Sequence, residues 1–265
     1  MLPFSLFAQK NKIPIHPGLS TVVEIDDPKE VIDGFNLYLP KSYSKTKLDY
    51  PVLVFLQGGL GVGGEIQDIN NWGLPKMLVE ENMLQSEWNQ HLLDSFIVIS
   101  PHMVGGSFKE RQFYNQEAAF RDILDIVNRN LRADPNRYYL TGLSRGGHGT
   151  WGLASRMEDV FAAVAPICGG LHGVETYEPF DQIAVWVFHN TGDDRVGYQN
   201  SVKGVKAIEM ATTMKFKALN SVNPSPNHYM KERYLFSSIE KEGHDAWTDA
   251  YGQVHLYKWL LLQTK

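Results

Sequence analysis

Residues 51–56 read Pro-Val-Leu-Val-Phe-Leu, with no polar side chain at either alternate position. A strand of this kind points apolar groups to both faces of its sheet, so both faces must be covered. The same character recurs at 96–100, 137–141, 162–167, 183–188 and 234–239, with 21–25 and 35–39 as earlier strands. Amphipathic segments lie between them at 117–131 and 202–219, and a closing helix is expected over 245–262. Buried strands alternating with helices predict an α/β class: a mostly parallel central sheet with helices on both faces. Ligands in such sheets gather beyond the carboxyl ends of the strands, which directs attention to the residues just after each one.

The rest of the composition narrows the function classes. A chain of 265 residues buries roughly three-quarters of its unfolded surface and needs no disulfide or structural metal, consistent with its single cysteine, Cys168. Its 25 basic and 30 acidic residues give a net charge of −5, and no basic block offers a phosphate track, so nucleic acid is not an expected partner. No apolar run reaches the roughly 20 residues of a membrane span. No repeat or linker-like shift divides the chain, which predicts one domain over 21–265 after an N-terminal segment 1–20. Residues 1–9 read as either a frayed terminus or the tail of a signal peptide without its basic start. The second reading implies export, the first a cytoplasmic protein.

The strand ending at Thr141 runs into Gly142-Leu143-Ser144-Arg145-Gly146-Gly147, followed by a helix-compatible stretch at 148–157. This is G-x-S-x-G between a strand and a helix. The small residues allow a turn sharp enough to lift a serine oxygen above the sheet. A serine hydroxyl is a weak nucleophile unless a neutral imidazole accepts its proton, and in this arrangement the acid and then the histidine follow the serine along the chain. The available histidines are His148, His172, His189, His228, His244 and His255. His148 is too close in sequence and His255 lies within the last helix. His244, in a short loop after the strand at 234–239, can project over the strand ends, against the alternative that it caps the final helix. The acid is expected in the loop after 183–188, where Asp193 and Asp194 compete, with His189 as a loop-structuring residue.

An oxyanion needs two backbone N–H donors. Arg145 supplies one, and the glycine-rich loop at 57–64 supplies the other, from Gly59 or Leu60. That loop also fits G-x-G-x-x-G at Gly59, Gly61 and Gly64, with Glu80 or Glu81 as a ribose ligand. Some fifty residues precede it, however, and Pro75 interrupts the expected phosphate-binding helix, so a nicotinamide nucleotide is the weaker reading. No metal-ligand spacing occurs, and no cofactor is implied. Trp72, Met103, His148 and Trp247 are candidates for lining a substrate pocket, though Met and aromatic residues are more often core.

Taken as a set, residues 35–43, 50–59, 134–151 and 161–170, with the late segments 187–196 and 243–251, resemble the α/β-hydrolase esterases grouped with phospholipase/carboxylesterase, feruloyl-esterase and polyhydroxyalkanoate-depolymerase-like proteins. The resemblance covers roughly residues 30–260. It implies an α/β-hydrolase fold, places Asp193 and His244 on the acid and base positions, and implies a serine esterase forming an acyl-enzyme on a small-molecule or carbohydrate ester. Where that group usually has His-Gly, this chain has Gln57-Gly58, which leaves the second oxyanion donor less secure. A peptidase or acyltransferase with the same triad, and a silent ligand-binding member of the fold, remain alternatives.

Overall fold

A computed structural model describes residues 13–26, 31–80, 87–221 and 223–265. The signal-like stretch at 1–9 and Glu81 lie outside the described residues. Nine strands form one sheet: β1 (Ser20–Glu24), β2 (Ile32–Tyr38), β3 (Tyr50–Leu56), β4 (Ile97–Met103), β5 (Ala133–Leu143), β6 (Phe161–Ile167), β7 (Ala184–Gly192), β8 (Lys217–Leu219) and β9 (Tyr234–Glu242). Their order is β1-β2-β4-β3-β5-β6-β7-β9-β8. Only the β1–β2 and β2–β4 pairings are antiparallel; the rest are parallel, as in an α/β-hydrolase sheet.

The apolar run in β3 shows why the sheet needs two coats. Val52, Val54 and Leu56 enter one core with Phe120, Ile123 and Val127 of helix α1 (Glu117–Asn130) and with Trp151 of helix α2 (Arg145–Arg156). Leu53 and Phe55 face the opposite core, where Leu92, Leu93, Leu256 and Trp259 pack. Trp186 of β7 is fully buried in this second core, stacked on Phe188 and Tyr229 and edge-on to Trp259.

Two predicted helices are shorter than their apolar periodicity suggests. The segment 202–219 becomes helix α3 (Gln199–Ala211) and then the edge strand β8. Thr212 turns to extended backbone at φ −122° and ψ 176°, and its hydroxyl bonds back to the Ile208 carbonyl, closing the last turn. The closing helix divides into α4 (Trp247–Tyr251) and α5 (Val254–Leu261). Gln253, extended at φ −133°, stops one helix and caps the next by accepting from the His255 and Leu256 amides.

The carboxyl ends of the central strands are level. Leu56 pairs with Gly142, Leu143 with Ile167, and Ile167 with Phe188. The Ser144 amide donates to the Ile167 carbonyl (3.0 Å) and the Cys168 amide to that of Phe188 (2.9 Å), so the chain leaves the sheet at one height. Trp186→Ala should lower stability by about 3–5 kcal/mol, because it empties the centre of a stacked aromatic cluster. Urea denaturation would show this as a lower midpoint at unchanged slope.

Candidate active site

Ser144 sits on the turn between β5 and α2 with φ 55° and ψ −114°, a region that non-glycine residues seldom occupy. Its neighbours explain how the turn stays closed. A Cβ on Gly146 would lie 2.0 Å from the Leu56 carbonyl oxygen, and one on Gly142 would lie 2.6 Å from the Gly146 backbone. Only glycine lets β3, β5 and the first turn of α2 approach this closely.

His244 arrives from the other side of the sheet. Gly243 has φ +83°, its amide donates to the Gly192 carbonyl (3.0 Å), and its own carbonyl accepts from the buried Asn190 side chain (2.9 Å). The loops following β7 and β9 are thereby stitched together. His244 Nε2 lies 2.8 Å from Ser144 Oγ, and His244 Nδ1 lies 2.7 Å from Asp193 Oδ2. An ionised carboxylate only accepts, so Nδ1 carries the hydrogen and Nε2 is left to accept from the serine hydroxyl.

Asp193 is buried, whereas Asp194 is exposed. Burial by itself raises the Asp193 pKa, but hydrogen bonds from His244 and from the Arg195 and Val196 amides (2.9 Å each) outweigh it and hold the carboxyl below its ordinary value. His189 meets the same carboxylate, its Nε2 lying 3.1 Å from Asp193 Oδ2 and 2.7 Å from the Val196 carbonyl, with Nδ1 2.7 Å from Ser201 Oγ. Burial lowers the His189 pKa. It braces the acid loop.

A cavity of about 420 Å³ opens over Ser144 and His244, lined also by Gly58 to Gly61, Trp72, Leu143, Arg145, Arg195, Val196 and Trp247. Arg145 is the first residue of α2 and Gly59 the first of a 3-10 turn, Gly59–Gly61, so the amides of Arg145, Gly59 and Leu60 have no acceptor within their own turns. Trp247 stands edge-on to His244 with ring centroids 5.5 Å apart.

Two expected lining residues are elsewhere. Met103 ends β4 fully buried in the core, since its side chain follows the alternation of that strand inward. His148 lies on α2 but is not among the residues lining the cavity; its ring is tilted against that of His172 with centroids 4.1 Å apart, and Nδ1 lies 2.8 Å from the Gly170 amide and 3.0 Å from the Gly170 carbonyl. Arg195 and Val196, which do line the cavity, carry no pattern that sequence reasoning could seize; they arrive because they follow the acid. The dinucleotide reading also meets an obstacle. The 3-10 helix Ile66–Asn71 that follows Gly64 already has its amino end occupied by the carboxylates of Glu65 and Asp68, where a pyrophosphate would have to sit.

Among the described residues one trio of potential metal donors, Cys168, Asp193 and His244, has atoms within 4.8 Å of one another. Two of them are already hydrogen-bonded to each other, and burial pushes the Cys168 thiol pKa well up, away from the thiolate that a metal takes.

Residues 33–249 match the model of the esterase family described as "Putative esterase". The chain belongs to this family. Among curated proteins, poly(3-hydroxyalkanoate) depolymerase C from Paucimonas lemoignei is 31% identical over 86 residues, which are 28% of this chain and 21% of that protein. A thermostable esterase structure superposes with a TM-score of 0.68 at 24% identity, covering 93% of this chain and 63% of the other. The feruloyl esterase module from Clostridium thermocellum, complexed with sinapinate, gives 0.62 at 16% identity over 97% of this chain and 96% of the module. At these identities the structural likeness establishes the α/β-hydrolase fold.

The His148 contact carries a pH signature. Burial depresses its pKa to about 4 from an ordinary 6.5, outweighing the Gly170 carbonyl, which lies 3.0 Å from Nδ1 and favours the protonated ring. A depressed folded-state pKa means that the unfolded chain takes up the proton first. Stability is therefore intact above about pH 6.5 and falls as the pH drops towards 4, by up to about 3 kcal/mol. His148→Asn keeps an acceptor near the Nδ1 position without the titration. Denaturation series between those pH values should show a flatter acid limb for the variant than for the wild type.

Proposed function

We propose that this protein hydrolyses carboxylic esters, with Ser144 as nucleophile, His244 as general base and then acid, and Asp193 as the group that orients the imidazole. The observation that carries this reading is the unbroken line of hydrogen bonds from Ser144 Oγ through His244 to Asp193, at the floor of an open cavity. As Oγ attacks the ester carbonyl, its proton passes to His244 Nε2, and the imidazolium is stabilised by the Asp193 carboxylate without a second proton transfer. The developing oxyanion is met by the Arg145 amide and by that of Gly59 or Leu60. His244 then protonates the departing alcohol, leaving an acyl-enzyme. Water, deprotonated by the same imidazole, attacks it and releases the acid, returning the proton to Ser144.

The fold of Asp193 suits this sequence of events. Both amides on its Oδ1, together with His189, keep the carboxylate fixed and ionised while the imidazole changes charge. Trp72 and Trp247 offer flat apolar faces at the cavity mouth, suited to an acyl or aryl group, and an acyl, acetyl or feruloyl ester of a carbohydrate is the substrate class that this reading favours. A peptidase or acyltransferase would use the same three side chains, so the substrate panel should contain p-nitrophenyl acetate, a feruloyl ester, acetyl-xylan and a peptide.

Ser144→Ala should reduce turnover of p-nitrophenyl acetate by on the order of a million-fold and abolish labelling by a fluorophosphonate. Wild-type hydrolysis in that variant, with its fold intact by circular dichroism, overturns the assignment. Asp193→Asn should lower kcat by roughly ten-thousand-fold, because an amide permits the wrong imidazole tautomer.

A further inference from the structure

Arg145 enters the proposed chemistry only through its backbone, yet its side chain is the more unusual part. The guanidinium lies against Gly59 on the oxyanion side of the cavity: a Cβ built on that glycine would sit 3.4 Å from Nη2 and 3.6 Å from Cζ. Its Nη1 is shielded from solvent with no hydrogen-bond partner. Burial first, and then repulsion from Arg111, lower the Arg145 pKa. Among the described residues no ion pair joins Arg111, Arg145 or Arg195 to a carboxylate, although the chain as a whole is acidic.

A third group adjoins them. Gln57 is 1% exposed, and neither its Oε1 nor its Nε2 has a partner; the side chain packs beneath Gly61, itself part of the cavity wall. Leaving buried guanidinium and amide donors unpaired is costly, most of all for a charged group, unless something docks there when the protein works. A guanidinium without a counter-charge suits an anion, and a planar carboxylate fits an arginine fork by two parallel hydrogen bonds.

We propose that Arg145, backed by Gln57, forms an anion subsite beside Ser144, and that the preferred substrate is an ester carrying a free carboxylate. This rests on the esterase reading above and narrows its substrate class. Arg145 lines the cavity next to the nucleophile, so a carboxylate on the acyl or alcohol part can reach it while the ester carbonyl lies over Ser144. Arg195, exposed on the opposite wall, adds positive potential that draws such an anion in.

Two matched substrate pairs test the proposal with the full chain: mono-p-nitrophenyl glutarate against p-nitrophenyl valerate for the acyl side, and 3-carboxyphenyl acetate against phenyl acetate for the alcohol side. At least one pair should favour the carboxylate, with kcat/KM higher by roughly ten- to a hundred-fold. Arg145→Met, which keeps the backbone amide, should bring that ratio close to one and remove competitive inhibition by glutarate. Raising the ionic strength from about 0.05 to 0.5 M should also shrink the wild-type preference, which provides a test even if the variant does not fold. No preference in either pair, with the neutral esters turned over in a Ser144-dependent way, would overturn the subsite and leave the esterase reading standing. The converse, no ester hydrolysed but glutarate raising Tm in the wild type and not in Arg145→Met, would leave the anion site and remove the esterase.

Discussion

The backbone contact between Gly146 and the end of β3 is the constraint from which the rest of the site follows. It holds the first turn of α2 against Leu56, which forces Ser144 into a conformation costing about 1–3 kcal/mol. That strain is tolerable because β3, β5 and β6 are interior strands, covered on both faces and hydrogen-bonded on both edges, so the turn cannot relax without disturbing the centre of the molecule. The result is a hydroxyl fixed above the sheet. A flexible loop could bring the same serine near the same histidine only part of the time, and the order would have to be supplied at each encounter.

Two further loops are made rigid by different means. Asp193 is held by hydrogen bonds alone, with one oxygen taking two backbone amides and the other shared between His244 and His189. His244 depends on a glycine turn and on Asn190, which reaches across from the acid loop. Asp193 and His244 are therefore not independent positions: moving either loop pulls on the other through the Gly243–Gly192 and Asn190–Gly243 bonds. His189, expected as a loop-structuring residue, is central to this coupling, since it joins Asp193, Val196 and Ser201 of α3.

The central strands and the G-x-S-x-G turn were legible in the letters because each depends on local chemistry. A run such as 51–56 has few alternatives to a doubly covered strand, and the glycines at 142 and 146 state the steric requirement of the turn. Strand ends pointed to His244 and narrowed the carboxylate to Asp193 or Asp194, and the family resemblance chose Asp193. The helix boundaries near Thr212 and Gly252 were not legible, because apolar periodicity continues through both while a backbone turn and a glutamine cap interrupt the helix. Met103 and His148 illustrate another limit: position after a strand or in an elbow helix does not reveal which way a side chain points. The same limit hid the Arg145 side chain, whose place against Gly59 exists only once the loop after β3 has folded beside the turn at Ser144.

Unpaired buried polar atoms show where folding and binding make opposite demands. Had stability alone governed the loop after β3, a residue with no polar atoms would pack under Gly61 as well as Gln57 does, and a carboxylate beside Arg145 would neutralise its charge. Either change would remove an unfavourable term from the unliganded fold. Buried unpaired polar atoms occur elsewhere too, at Asn36, Tyr38, Trp151 and Asp181, but those of Gln57, Arg145 and the Asn190 side-chain oxygen lie in or next to the loops that converge on Ser144. A closed, self-satisfied network there would be more stable and would have nothing left to offer a ligand. Incomplete pairing beside Ser144 leaves Arg145 without a counter-charge of its own, so that binding an anion can supply hydrogen bonds that the folded chain withholds from itself.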